Sequence, residues 1–124
     1  MTNTIQTVAD LAPKNKKPNC VSSAVSTGKA AIKPLNVAGK SAQAWIALKE
    51  VIEAQPRMKV IAADDRTMHA TDTTKWIKFT DDIEFLLDGD VIHVRSASRI
   101  GYSDWGVNRK RVEAIREQLN SRLA

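Results

Sequence analysis

Residues 82–95 read DIEFLLDGDVIHVR, and the way this stretch pairs with itself decides the fold. Asp88-Gly89 is a two-residue turn signal, because glycine accepts the positive φ that a type I′ hairpin turn requires. With the turn there, Leu86 pairs with Val91, Phe85 with Ile92, Glu84 with His93, Ile83 with Val94 and Asp82 with Arg95. Apolar then meets apolar, and each acid meets a basic or imidazole group. A slip by one residue would oppose Phe85 to His93 and Ile83 to Arg95, which the side-chain period of two penalises. The pattern predicts an antiparallel hairpin with Ile83, Phe85, Ile92 and Val94 turned toward a helical layer.

The neighbouring segments extend this hairpin into a sheet. Met58, Val60 and Ala62 alternate with Lys59 and Ile61 before an Asp64-Asp65 turn, and residues 66–72 form a weaker strand. Residues 75–87 make a third strand, with Ile77, Phe79, Ile83, Phe85 and Leu87 all at odd positions, and residues 90–99 a fourth. Trp45, Leu48, Val51 and Ile52 share one helical face over about residues 42–55, with Ser41 as the expected N-cap and Gln55-Pro56 as the stop. From about Val107, Val112, Ile115 and Leu119 recur at helical spacing. The expected architecture is α+β: a two-layer sandwich of a four-stranded antiparallel meander with an N-terminal and a C-terminal helix.

The 124 residues suffice for one compact domain, and a 43% hydrophobic content supplies its core. Residues 1–40 hold three of the four prolines and read as poor in regular structure. Residues 1–17 are expected to be a flexible arm and 18–124 a single domain. Without an apolar run near the ~20 residues of a membrane helix, no membrane partner is expected. The N-terminus lacks the pattern of a secretory signal, so a cytoplasmic location is the default. The single cysteine, Cys20, excludes an internal disulfide and a cysteine-rich zinc site. Asp64, Asp65, His69, Asp81 and His93 follow no metal-binding motif, and neither a metal nor another cofactor is indicated.

The formal charge is +5, with the middle of the chain acidic and both ends basic. The richest polar stretch is SASRIGYSDWGVNRKR, residues 96–111. Together with PNCVSS near the start and FTDDIEFLLDGDVIHVRS, it resembles the domain-of-unknown-function family DUF1499 across about residues 18–121. The resemblance implies that Asn19, Cys20, Ser22, Asp81, Asp82, Arg95, Ser96, Ser98, Arg99, Gly101, Tyr102, Ser103, Asp104, Gly106, Asn108, Arg109 and Arg111 occupy family motif positions, and it brings no activity with it.

Read residue by residue, loop 96–111 is the joint where a strand becomes a helix, with Ser103 or Asp104 capping that helix and Tyr102 and Trp105 packed beneath. Gly106, in the first helical turn, would admit the close approach of another group. A helix N-terminus beside arginines also suits an anion. The expected ligand-binding set is therefore Arg95, Ser96, Ser98, Arg99, Tyr102, Asp104, Gly106, Asn108 and Arg109, for a small phosphate- or carboxylate-bearing ligand. Asp81 and Asp82 are expected to be structural. Strict alternation sends Asp81 to the core side, where it needs either a bulge or bonds from Ser96 or an arginine. Two alternatives stand beside the anion-binding module. One is weak, nonspecific nucleic-acid binding through the basic arm and last helix, disfavoured by the absence of a recognised motif. The other is an enzyme using Cys20 as nucleophile with His69 or His93 as base.

Overall fold

The computed structural model describes residues 5–76 and 78–124. In chain order the regular elements are β1 (Cys20–Ser22), β2 (Leu35–Asn36), α1 (Ser41–Glu53), β3 (Met58–Ala63), β4 (Thr67–Thr73), β5 (Thr80–Asp88), β6 (Val91–Ser98) and α2 (Val107–Leu123), preceded by a short 3-10 turn at Val8–Leu11. The expected meander is present as β3-β4-β5-β6, all antiparallel. It is not the whole sheet. Both β1 and β2 pair antiparallel with β6 as well, so the described sheet has six strands rather than four. At three and two residues, these added strands are too short to show a readable periodicity.

The hairpin register differs from the expected one by two residues. Leu87 faces Ile92, Phe85 faces Val94, Glu84 faces Arg95 and Asp82 faces Ala97. The loop is Gly89-Asp90, not Asp88-Gly89, and of these two only Gly89 has positive φ, at 59°. Glycine at the first central position, followed by a residue of negative φ, is the type II′ pattern, which suits a hairpin as well as type I′ does. A shift of two leaves every side chain on its expected face. Ile83, Phe85, Ile92 and Val94 are accordingly buried beneath the helices.

That core joins them to Leu48, Val51 and Ile52 of α1 and to Val112, Ile115 and Leu119 of α2. Ser41 does not cap α1. It is the first helical residue, and its hydroxyl donates to Gly89 O at 2.8 Å, tying the helix start to the hairpin turn. The third strand begins later than expected, at Thr80, and Phe79 is exposed outside it. Ile77, assigned to the core face from its odd position, lies outside the described residues.

The opposite face of the sheet is covered too. Ile5, Leu11 and Leu86 form a second buried cluster, with Val8 and Ala24 against it. Residues 5–12, within the segment whose composition suggests a free arm, thus lie on the outer face, and Leu11 is fully buried there.

Candidate functional site

Asn108 and Arg111 lie one helical turn apart, on the face of α2 turned toward the sheet. Asn108 is fully buried. Its Oδ1 accepts from Ser96 Oγ and from Arg111, each at 2.7 Å. Its Nδ2 donates to Asn19 O, Ser98 Oγ and Asp104 Oδ2 at 2.7–3.0 Å. Asn19 extends the network by donating from Nδ2 to Gly101 O at 2.8 Å. One amide therefore joins β6, the chain before β1, and the start of α2.

Arg111, 8% exposed, donates to Asp72 at 2.9 Å and to Asp81 at 2.7 Å. It also donates to Ser96 Oγ at 3.0 Å. Asp72 and Asp81 are direct cross-strand partners. Two like charges so placed repel, and the guanidinium between them is what makes the pairing tolerable. This answers the question Asp81 poses in the sequence: the side chain stays on the core side, without a bulge, and an arginine satisfies it. Arg111 and Asp72 are absent from the site set read from the sequence. The available signal was the three-residue spacing from Asn108, which puts both on one helical face.

On the outer face, Arg95 pairs with Glu84 and not with Asp82, a consequence of the two-residue register difference. Its remaining donors reach Asp10 O at 3.0 Å and Ala12 O at 2.8 Å, holding the N-terminal segment down. Asp82 is instead bound by Arg99, at 2.8 and 2.9 Å, and by His69 Nε2 at 2.7 Å. Burial pushes the Asp82 carboxyl up, but the bonds from Arg99 and His69 outweigh it and hold the group below its usual range. His93, expected opposite Glu84, faces Leu86 and has Nδ1 3.0 Å from Ser23 Oγ.

Asp104 organises the start of α2. Its carboxylate accepts from Gly106 N at 2.9 Å and from Asn108 N at 3.2 Å, and its carbonyl from Val107 N at 3.1 Å. Gly106 is the N-cap residue, with φ at 82°. Apart from its chain neighbours, no atom of the described residues lies within 4 Å of where its Cβ would stand, so the glycine serves backbone conformation rather than close approach. Trp105 just before it also has positive φ, at 55°, a conformation a bulky residue adopts only at a cost. Neither aromatic packs beneath the loop. Tyr102 is 71% and Trp105 88% exposed, because the loop turns them outward.

A cavity of about 550 Å³ opens between this loop, the N-terminal segment and the turn before Ala30. Ser103, Asp104, Gly106 and Arg109 form one wall, and Lys16, Lys17, Lys29, Cys20 and Val21 also belong to its lining. Arg109 is anchored there by donating to Lys29 O at 2.7 Å and Ala31 O at 2.8 Å. A second cavity of about 290 Å³, lined among others by Lys14, Asp82, Arg95, Ser98 and Arg99, shares Cys20 with it. Burial pushes the Cys20 thiol up, Arg95 opposes this, and Asp104 and Glu84 push it further up, so the sulfur stays protonated at neutral pH. Among the described residues neither imidazole is hydrogen-bonded to it: His69 is on Asp82 and His93 on Ser23.

The expected site residues thus fall into three groups, the first being Arg99, bound to Asp82, and Tyr102, exposed, neither of which lines the larger cavity. Ser96, Ser98 and Asn108 bond inside the fold, as Arg95 does beneath the N-terminal segment. Asp104, Gly106 and Arg109 face the larger cavity. No curated protein and no solved structure matches the chain. Residues 10–119, most of the chain and all the motif positions above, match the family described as a protein of unknown function, DUF1499, and the chain belongs to that family.

Proposed function

We propose that this protein is a binding module that holds a small phosphate- or carboxylate-bearing anion in the cavity beside loop 96–111. One observation carries the reading. The cavity gathers Lys16, Lys17, Lys29 and Arg109 against a single carboxylate, Asp104, whose oxygens already accept from Gly106 and Asn108. Among the described residues the three lysines form no ion pair. Like charges held around one concavity favour a counter-anion between them. Of the residues singled out in the sequence, Asp104, Gly106 and Arg109 line this cavity and Asn108 fixes its wall through Asp104.

Phosphate, sulfate and small carboxylates at millimolar concentration are expected to raise the thermal midpoint, as any ligand selective for the folded state does. Lys29→Ala and the pair Lys16→Ala with Lys17→Ala should remove that shift, while Lys59→Ala, on β3, should keep it. Absence of any shift, or shifts unchanged by all three cavity substitutions, would refute the reading.

A further inference from the structure

The large apolar side chains left exposed are unevenly distributed. Ile100 at 60%, Tyr102, Trp105 and Val107 at 47% fall within eight positions, in the loop before α2 and at the first residue of that helix, while Ile46, Ile61, Trp76 and Phe79 are exposed elsewhere. Scattered exposed apolar residues are ordinary in a protein, but a local cluster marks a contact surface. Ser103, Asp104 and Gly106 of the same loop wall the lysine-lined cavity, so along the chain the exposed apolar residues alternate with residues that line it. Lys110, in the first turn of α2, is exposed as well.

A surface that combines exposed tryptophan and tyrosine with unpaired cations matches the boundary of an anionic bilayer. There the amphipathic rings sit at headgroup level, and lysines and arginines meet lipid phosphates. We infer that loop 99–107 and the adjoining cavity form one membrane-surface contact, Tyr102 and Trp105 entering the headgroup region while Lys16, Lys17, Lys29 and Arg109 hold phosphates of anionic phospholipids. This rests on the proposed anion site for its charged half. Among the described residues no helix is long and apolar enough to cross a membrane, and a contact lying on the surface needs none.

The test uses the full chain with vesicles of phosphatidylglycerol mixed with phosphatidylcholine, and of phosphatidylcholine alone. Sedimentation with the mixed vesicles only, weakening with salt and accompanied by a blue shift of tryptophan emission, is expected. Tyr102→Ser with Trp105→Asn should lower partitioning about tenfold or more and abolish the emission shift; asparagine tolerates the left-handed backbone at that position. Because both side chains are exposed, this variant should melt with the wild type and keep its thermal shift with inorganic phosphate. Lys16→Glu with Lys17→Glu should lose vesicle binding at least about fivefold for each cation removed. No sedimentation with the mixed vesicles, equal sedimentation with phosphatidylcholine alone, or partitioning unchanged in the aromatic variant would each overturn the inference. A phosphate shift without vesicle binding would overturn it while leaving the anion site standing, and absence of both would remove the two together.

Discussion

Arg111 shows how much one buried side chain can organise. Removing it leaves Asp72 and Asp81 facing each other across neighbouring strands without a counter-charge, and Asn108 Oδ1 with one donor fewer. Arg111→Leu is expected to cost about 3–5 kcal/mol in urea unfolding, the usual penalty for breaking a buried pair from one side. Asp72→Asn in the same background should recover part of that loss, and strictly additive effects would argue against the coupling. His93 provides a second check. Burial lowers its pKa despite Asp88 nearby, so above the ordinary value of about 6.5 the ring is neutral in both folded and unfolded chains. As pH falls below that value the unfolded state takes up protons first, and stability declines until the folded ring titrates as well. An NMR titration should give His93 a midpoint below 6.5; a midpoint at or above it would contradict this environment. The demand of Asp81 for a partner was legible in the alternation of β5. Its partner was not, since Arg111 lies 30 residues further on.

At the level of elements, the central hairpin separates what alternation specifies from what it leaves open. Alternation assigned Ile83, Phe85, Ile92 and Val94 to the helical side, where they are buried. Registers two residues apart satisfy that assignment equally. Turn geometry and cross-strand partners chose between them, with Gly89 opening the loop and Arg95 brought opposite Glu84. Gly89→Ala, at φ 59°, should destabilise the protein by about 1–2 kcal/mol, whereas Asp88→Ala, at the end of β5, should have a smaller effect. Equal losses in thermal unfolding would put the turn back at Asp88-Gly89. Phe85→Ala, by contrast, tests only the face, and should cost about 3–5 kcal/mol in either register.

For the whole molecule, the N-terminal segment closes the side of the sheet that the helices leave open. Leu11 and Ile5 cover Leu86, while Asp10 and Ala12 offer their carbonyls to Arg95. Deleting residues 1–12 should therefore lower stability by roughly the cost of emptying one Leu-sized core site, about 2–5 kcal/mol, and Leu11→Ala should reproduce much of it. Urea midpoints unchanged in both would show that the segment is a dispensable arm after all. By itself the sequence determined the two amphipathic helices, the order of the four-stranded meander and the face each central residue presents. All of these follow from local periodicity, which a single chain displays along its own length. Only the tertiary structure decided the two extra strands on β6, the cover over Leu86, the outward turn of Tyr102 and Trp105, and the Asn108–Arg111 network that holds α2 to the sheet. Those features depend on groups far apart in the chain satisfying one another's buried charges and hydrogen bonds, and no local pattern records which of them will meet.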